Sequence, residues 1–422
     1  MLRLNFIKEN PNDIISILKK KNFDGKKLIM EIIQLDNSRI NLQRDLNELQ
    51  NKMNLLSKEI GICYAEKNII QAEKLKTETK SLKDLIQEKK ENQKQLIEKI
   101  NGKLIQIPNL PNIEVPQGNN ENDNEIILQK GELPNLDQDK IPHWDIAKKY
   151  NLIDFEKGNT ITGSGFPLYK NKGAKLQRAL INFFLDYNIK NGYNEYLPPH
   201  LVNQESAFGT GNYPDKEGQM YHIEKDNLFL IPTAEVPLTN IYRNQILESN
   251  ELPKKLTAYS PCFRREAGSY GKNVRGLNRL HQFDKVEIVQ IAHPKNSYKI
   301  LEEMIDHVSK LLLELGLPFR LVKLCGGDLS FSSALTFDFE VFSAAQEKWL
   351  EVSSVSNFES FQSIRSNIKI RENTTLDFCH TLNGSSLALP RIMAAILENN
   401  QTNSGIKIPQ RLWEYTGFKL IS

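Results

Sequence analysis

The sequence has few cysteines, and none lies in a metal-binding or redox pattern. The four cysteines among 422 residues form no CxxC pair, and the adjacent Cys379 and His380 lack the spacing of zinc ligands. No run of about 18 apolar residues occurs, which argues against a membrane-spanning helix. The start, Met1–Phe6, has no apolar core of signal-peptide length. These absences predict a protein of the reducing cytoplasm without a membrane anchor.

Two common nucleotide-binding motifs are also missing. No GxGxxG follows a strand-like run, and no GxxxxGK followed by Ser or Thr occurs. If the chain binds ATP, it therefore does so without a Rossmann or P-loop site. The formal net charge is only +3, so any contact with nucleic acid needs a local patch of positive charge. The length suggests two or three domains.

Apolar residues recur at alternating steps of four and three through the first hundred residues. One series runs over Leu28–Ile60 with a break at Arg39, and a weaker one runs over Ala72–Ile100. This spacing is typical of the seam of a coiled coil. Gly61 interrupts the first series, Gly102, Pro108 and Pro111 end the second, and we expect the turn between the helices near Gly61–Asn68.

The two predicted helices should fold back on each other as an antiparallel hairpin. We place this arm at about residues 28–102, within an N-terminal domain of residues 1–110. Residues 66–103 hold ten lysines against seven acidic residues, which suits contact with RNA phosphates. A dimerisation or spacer coiled coil would show the same pattern, and the spacing leaves both functions open.

A linker at residues 111–125 separates the arm from a catalytic domain at 126–422. The linker begins with prolines and is polar, rich in Asn and Glu. Beyond it, short β-rich runs alternate with helices and form few regular βαβ units. This order predicts an α+β fold, an antiparallel sheet flanked by helices. The β-rich runs are Leu228–Ile231, Thr257–Phe263, Gln282–Val289, Thr336–Phe342 and Trp349–Ser354, and the clearest helices are Lys172–Ile189 and Ser297–Leu315.

The densest group of charged and aromatic residues lies between Phe263 and Glu287. A predicted strand ends in Arg264-Arg265-Glu266, and a loop with glycines at 268, 271 and 276 follows. On the returning strand, Phe283, Lys285 and Glu287 share one face, and alternation would also put Arg264 and Glu266 on one face. Guanidinium groups bind phosphate with two parallel hydrogen bonds, and an aromatic ring can stack on a base. A surface hairpin with solvated charges is the alternative.

Three smaller groups offer further chemistry. Glu351–Ser354 supplies carboxylate and hydroxyl oxygens suited to magnesium. Asn383–Arg391 leads into an apolar helix, where a cation near the N-terminus is disfavoured unless an anionic ligand is present. Thr233–Glu235 could hold a small polar molecule. Each group alone is also consistent with an ordinary strand or turn.

Taken in order, these motifs resemble those of the class II aminoacyl-tRNA synthetases, and within them the seryl-tRNA synthetases of bacterial type. The resemblance extends over the arm, the linker and the body. Its most specific elements are Thr233–Glu235, Phe263–Glu287, Glu351–Ser354 and Thr381–Ser385.

The resemblance implies a role for each matching residue. The serine-binding residues would be Thr233, Ala234, Glu235, Glu287, Asn383 and Ser385. The ATP-binding residues would be Arg264, Arg265, Glu266, Phe283, Glu351, Val352, Ser353, Ser354 and Arg391. Of these, Arg264 and Arg391 would be catalytic, and Glu351 and Ser354 would bind Mg²⁺.

The resemblance also implies substrates, partners and a reaction. ATP and L-serine would form seryl-adenylate, and the seryl group would pass to the 3′ end of a serine tRNA. Selenocysteine tRNA stays open as a second acceptor. A homodimer is implied through the segment resembling motif one, Lys172–His200, with Pro198 and Pro199 near the interface.

The chain departs from the usual family pattern at several positions, which puts their structural role in question. They are Gly165, Leu335, Val355, Ile364, Ser386 and Pro390. Two other functions compete with the synthetase: a paralogue that loads a carrier protein, and a non-catalytic coiled-coil scaffold. The arm favours a tRNA over a carrier protein, and Arg264, Glu287 and Arg391 favour an enzyme over a scaffold.

Overall fold

The computed structural model describes residues 1–136, 140–266 and 275–422. It divides the chain into two compact units. The first comprises Met1–Lys19 and Phe23–Pro108, and the second comprises Lys20–Asn22 and Asn109–Ser422. Across the described ranges, no helix combines the length and the apolar character needed to cross a membrane.

The first unit is helical. Its α-helices are α1 (Leu4–Glu9), α2 (Pro11–Leu18), α3 (Lys26–Ala65) and α4 (Ile69–Leu104). The two long helices run antiparallel, because ion pairs join Asp45 to Lys89 at 3.0 Å and Glu31 to Lys103 at 2.5 Å. The predicted coiled-coil hairpin is therefore confirmed, with helices about 60 and 54 Å long.

The seam of the hairpin is formed by residues that the spacing predicts. Its buried side chains are Leu46, Leu56, Leu75, Leu82 and Ile86. Two polar seam residues pair across the hairpin: Lys89 with Asp45, and Gln93, which donates to Gln43 at 2.5 Å. Such pairs satisfy polar groups in the seam and so help to fix its register.

The turn of the arm lies within the predicted stretch Gly61–Asn68, at its C-terminal end. Gly61 lies inside α3, and no other group comes within 4 Å of a Cβ built there. Gly102 lies inside α4, which ends at Leu104. A single glycine costs a helix only about 1 kcal/mol, which packing of the long seam outweighs. The turn comprises Glu66–Asn68, where the Asn68 side chain accepts from the Gln71 amide at 3.2 Å.

The base of α3 departs from the seam. Asp36 is buried, and its carboxylate pairs with Lys8 of α1 at 2.5 Å and with Arg39 at 2.6 Å. Asp36 therefore faces the short helix α1, whose Lys8 is the second cation beside its carboxylate. This packing explains the break that the sequence shows at Arg39.

The second unit combines sheets and helices. Its α-helices are α5 (His143–Lys149), α6 (Phe155–Ile161), α7 (Asn171–Lys190), α8 (Gln204–Thr210), α9 (Glu235–Asn240), α10 (Ser297–Glu314), α11 (Phe361–Ser366), α12 (Leu389–Asn399) and α13 (Trp413–Thr416). Its strands are β1 (Glu125–Lys130), β2 (Ile153–Asp154), β3 (Leu168–Tyr169), β4 (Asn194–Glu195), β5 (Leu201–Asn203), β6 (His222–Ile223), β7 (Leu228–Leu230), β8 (Ile246–Glu248), β9 (Lys254–Phe263), β10 (Gln282–Ala292), β11 (Phe319–Lys323), β12 (Leu335–Ser343), β13 (Lys348–Asn357), β14 (Lys369–Glu372), β15 (Thr375–Phe378), β16 (His380–Ala388), β17 (Gln401–Thr402), β18 (Gly405–Lys407) and β19 (Leu420–Ile421).

An eight-stranded sheet organises this unit. Its order is β1-β11-β12-β13-β16-β10-β9-β4, and only the edge pair β4–β9 is parallel. Helices α7, α10 and α12 contribute to the main hydrophobic core with Val286 and Ile288 of β10. Because side chains alternate along a strand, Val289 and Ile291 lie on the other face and pack with Ala234 and Leu238. The predicted α+β fold is confirmed, and all five β-rich runs contain strands.

The pairing of β10 with β16 contains a bulge. Lys285 pairs with Ala388, whereas Glu287 pairs with Ser385, so β16 has one extra residue. Leu387 lies in this bulge with a φ of 92°, an unusual value for a bulky residue. The strand carries Asn383 and Ser385 before the bulge and continues directly into α12 after it.

Candidate active site

Four polar residues meet on the sheet face opposite the three packed helices. Thr233 lies in the turn before α9, and its hydroxyl donates to Glu287 Oε2 on β10 at 2.6 Å. Glu235 begins α9 and accepts from Asn383 Nδ2 on β16 at 2.7 Å. Ala234, between Thr233 and Glu235, is buried. The fold therefore brings together residues that the sequence separates by up to 150 positions.

The cluster holds two buried hydrogen-bond acceptors without partners among the described residues. They are Glu287 Oε1 and Asn383 Oδ1. Glu287 is fully buried, and leaving an acceptor of this kind unsatisfied is unfavourable. A small ligand with several donors, such as an ammonium and a hydroxyl group, would satisfy both atoms.

Charges within the cluster are strongly coupled. Burial, together with the neighbouring Glu287, raises the pKa of Glu235 to about 7. The Lys285 ammonium forms an ion pair with Glu287 Oε2. Two carboxylates and one ammonium leave the cluster with excess negative charge when both carboxylates are ionised, which suits a cationic group on a ligand.

Two members of the cluster were missed as site residues. Lys285 could have been found, because its alternation with Phe283 and Glu287 is visible in the sequence. Gln362 donates to Glu235 Oε1 at 2.7 Å from α11, and no local pattern indicates this contact. Ser385 is buried on the same strand as Asn383, and its carbonyl accepts from the Ser353 hydroxyl at 2.6 Å.

An arginine and an aromatic ring lie beside this cluster. The guanidinium carbon of Arg264 is 5.2 Å from the centre of the Phe283 ring. Arg264 Nε also donates to the Pro232 carbonyl at 3.3 Å, directly before Thr233. Arg264 therefore lies between the polar cluster and the ring, where it could bridge two parts of one ligand.

The residues after Arg264 are arranged differently from the expectation. β9 ends at Phe263, and Glu266 has a φ of 49°, so the predicted strand alternation of Arg264 and Glu266 is wrong. Glu266 accepts from Arg279 at 3.0 Å, and the exposed Arg265 lies 5.9 Å from the Tyr221 ring. The expected loop glycines at 268 and 271 lie outside the described residues.

A second oxygen-rich group lies on β13. Glu351 is exposed and Ser354 is half-buried, and the latter pairs with Asp338 on β12. Burial, reinforced by Glu351, raises the pKa of Asp338 well above its usual range. Within the described ranges no set of three or more His, Cys, Asp or Glu side chains is arranged as a metal site. Oxygen atoms on Glu351 and Ser354 do fit magnesium, which usually takes few protein ligands and completes its shell with water and phosphate.

Two neighbours on β13 turn inward. Val352 is 1% exposed and lies in the main core, and Ser353 is buried with its hydroxyl on the Ser385 carbonyl. A bulge between β12 and β13 at this point accounts for two successive buried residues. Both residues are therefore almost fully buried, at 1% and 2% exposed, backbone included.

Arg391 lies in the first turn of α12. Its Nη1 donates to the Glu351 carbonyl at 2.6 Å and lies 3.6 Å from the Glu351 carboxylate. Its Nε donates to the Asn278 carbonyl at 3.2 Å. These partners offset the unfavourable position at the helix N-terminus and hold the guanidinium beside the oxygens of β13.

The departures from the family pattern are accommodated structurally. Gly165 has a φ of 84°, and a Cβ there would overlap the His281 ring. Leu335 and Val355 are buried in the main core.

Pro390 lies in the first turn of α12, where it removes no helical hydrogen bond. The Ser386 hydroxyl donates to Asn188 Oδ1 of α7 at 2.8 Å. Ile364, on α11, is half-buried.

Two family models match the chain. Residues 1–111 match the seryl-tRNA synthetase N-terminal domain, and residues 220–400 match the tRNA synthetase class II core domain (G, H, P, S and T). The serine–tRNA ligase of Salinibacter ruber is 46% identical, with 100% of this chain and 99% of that protein covered. The serine–tRNA ligase of Clostridium tetani is 42% identical, with 99% of both proteins covered.

A solved structure agrees with these similarities. The crystal structure of seryl-tRNA synthetase from Pyrococcus horikoshii complexed with ATP superimposes with a TM-score of 0.93 and is 33% identical in sequence. The alignment covers 100% of this chain and 99% of that one.

Proposed function

The chain belongs to the seryl-tRNA synthetase family of class II enzymes, and we propose from this premise that it charges serine tRNA in two steps. L-Serine and ATP first form seryl-adenylate, and the seryl group then passes to the tRNA. The observation that carries the proposal is the pair of buried, unpartnered acceptors, Glu287 Oε1 and Asn383 Oδ1. A serine molecule offers the donors that both atoms require.

The polar cluster would bind serine. Glu287 and Glu235 attract its ammonium group, and Thr233 and Asn383 hydrogen-bond around it. A pocket that bonds the hydroxyl group rejects alanine strongly, because alanine leaves buried polar atoms unpaired. Ser385 lines the same pocket, and threonine would be excluded by shape.

The first step needs positive charge at the α-phosphate. A serine carboxylate oxygen attacks the α-phosphorus, the bond from that phosphorus to its β-bridging oxygen breaks, and pyrophosphate leaves with the electron pair. Arg264 lies beside the serine cluster and would stabilise the charge that develops. Phe283 would stack on adenine, with Glu266 and Arg265 nearby, and Arg391 would lie over the nucleotide. No side-chain nucleophile is needed, since positioning supplies much of the rate.

Magnesium is proposed at Glu351 and Ser354. When bound, it would supply neutralisation of the phosphate charges. Arg391 holds the Glu351 backbone at 2.6 Å and so fixes this part of β13 beside the nucleotide site.

The second step transfers serine to RNA. A terminal ribose hydroxyl oxygen attacks the seryl carbonyl carbon, and the bond from that carbon to the phosphate oxygen breaks. AMP leaves with the electron pair, and the hydroxyl proton passes to the departing phosphate or to solvent. The hairpin of α3 and α4 would hold the tRNA through backbone phosphates, and the lysine excess of α4 supports this role. A charging assay with serine tRNA and selenocysteine tRNA side by side decides whether the latter is an acceptor.

We also propose that the enzyme is a cytoplasmic homodimer. Leu197 in the segment resembling motif one is 85% exposed. Pro199 beside it is also exposed. An exposed apolar side chain at this place suits an interface between two copies. Sedimentation should give a mass twice that of one 48.5 kDa chain.

The first test is serine-dependent exchange between ATP and pyrophosphate. Exchange should occur with serine and fall by more than about 100-fold with alanine, threonine or glycine. Exchange with none of the four, in a protein with a cooperative thermal transition, would contradict the proposal and favour the scaffold function.

The KM for serine should depend on pH. The pKa of Glu235 is raised to about 7, so its carboxylate attracts the serine ammonium above pH 7 and is protonated below it. The KM should therefore increase about tenfold from pH 8 to pH 6. Exchange kinetics at fixed ATP would measure this change. Glu235→Gln should raise the KM and remove the dependence, and a flat wild-type profile would contradict the assignment.

A further inference from the structure

Gln362 lies in the first turn of α11, outside the residues to which the resemblance assigns roles. Its side chain is 1% exposed, so its amide must find partners inside the protein. The amide reaches three separate segments that all border the polar cluster.

The orientation of this amide is fixed by its partners. Nε2 donates to Glu235 Oε1 at 2.7 Å and to the Thr210 carbonyl at 3.1 Å. Oε1 accepts from the Thr381 hydroxyl at 2.6 Å. The Glu235 carboxylate and the Thr210 carbonyl are acceptors and so require the NH₂ group of the amide, whereas the amide oxygen accepts from the Thr381 hydroxyl. An amide flipped by 180° would therefore lose both hydrogen bonds that Nε2 donates.

Glu235 depends on neutral donors for its stability as an anion. Gln362 and Asn383 donate to its two oxygens, one each. The charged groups that act on it are Glu287 and Lys285, both on β10. Burial and then Glu287 oppose ionisation of Glu235, whereas Gln362, Lys285 and Asn383 favour it, so loss of the Gln362 donor should make the carboxylate harder to ionise.

We propose that Gln362 is a positioning residue that holds the ionised Glu235 carboxylate for the substrate ammonium and links it to the Thr210 carbonyl. This inference rests on the proposed function and extends it. Gln362 is 1% exposed and donates to Glu235, so it would act through that carboxylate.

A second contact from α11 supports the link to residues near Thr210. The Arg365 guanidinium lies 4.7 Å from the Phe208 ring and donates to the carbonyls of Phe208 at 3.3 Å and Tyr213 at 3.2 Å. Helix α11 thus holds this segment on both sides of Thr210, while Gln362 connects it to the serine cluster.

The test compares two buried glutamines. Gln362→Met keeps the approximate shape and removes the donor to Glu235. The midpoint of the pH profile of the KM for serine should move up by about one unit, so the KM should rise about threefold at pH 7.5 and about tenfold at pH 6, with the KM for ATP changed less than about twofold. Gln290→Met is the control: Gln290 is also 1% exposed but donates to Tyr193 OH on the helix-covered face. An unchanged profile in Gln362→Met would overturn the proposal.

A pair of variants at Thr381, which leave Gln362 in place, tests the proposal if Gln362→Met does not fold. Thr381→Val removes the donor that orients the amide, and Thr381→Ser retains it. The valine variant should shift the serine KM profile in the same direction and the serine variant should match the wild type. Equal profiles for both would overturn the proposal.

A measurement without substrates separates this inference from the proposed function. Carboxyl ¹³C resonances of glutamate-labelled protein, with Glu235→Gln for assignment, give the Glu235 titration directly. An upward shift of the titration in Gln362→Met supports the link to Gln362 even if exchange with serine fails. An unshifted titration overturns it even if the enzyme is active.

Discussion

Arg264→Ala should lower serine-dependent ATP–pyrophosphate exchange by about 100- to 1,000-fold. The loss should appear in kcat more than in the KM for serine, because Arg264 acts on charge that develops at the α-phosphate as the carboxylate attacks. Its position, between the Pro232 carbonyl and the Phe283 ring, would let one guanidinium contact both proposed substrates. Exchange kinetics at several serine and ATP concentrations would measure both parameters.

Two further variants make this result specific. Arg264→Lys keeps the charge but not the planar fork, and should recover only part of the loss. Arg371→Ala removes a half-exposed arginine of β14 that pairs with Glu248, and should leave exchange unchanged. Equal activity of Arg264→Ala and the wild type would exclude the proposed role at the α-phosphate.

Shortening the arm should separate the two steps. Residues 44–92 can be replaced by a short Gly-Ser turn, because Gln43 and Gln93 already meet across the hairpin at 2.5 Å. Exchange should stay within about twofold of the wild type, since every proposed substrate-binding residue lies in the second unit. Charging of serine tRNA should fall on the order of 100-fold or more. Loss of exchange in a folded variant would contradict the proposal that the second unit activates serine without the arm.

A variant of full arm length tests how the arm acts. Changing the exposed lysines Lys80, Lys83 and Lys90 of α4 to glutamine keeps the hairpin and removes three positive charges. The tRNA affinity should fall, and its salt dependence should become less steep, by up to about one unit of log–log slope for each phosphate that a lysine no longer neutralises. An unchanged slope would mean that these lysines do not face the RNA.

Patterns along the chain predicted the helices and strands, but not every point at which one of them ends. Heptad spacing and strand alternation depend on side chains close in sequence, so the arm and all five β-rich runs were found. The ends of α7 and α10 were predicted to within one residue, whereas Gly61 lies inside α3 because packing along the seam outweighs its cost. Asp36 was unpredictable for a similar reason: its burial requires Lys8 from another helix.

In the candidate site, too, contacts between residues close in sequence could be predicted and contacts between distant segments could not. Lys285 was visible through its alternation with Glu287. Gln362 and the buried pairing of Ser386 with Asn188 depend on segments that meet only in the folded chain, so no spacing could indicate them. The resemblance supplied long-range information of this kind, since its motifs come from separate parts of the chain that meet in the folded unit.

The bulge at Leu387 sets how α12 is rotated about its own axis relative to the sheet. An α-helix advances about 100° per residue, and β16 continues into α12 without an intervening loop. Removing the extra residue would therefore rotate every side chain of α12 by about that angle relative to the sheet. Arg391 would turn away from Glu351, and the other ten residues of the helix, all buried, would lose their present packing. The extra residue in this bulge thus sets the direction in which the Arg391 side chain leaves α12 to reach the Glu351 carbonyl.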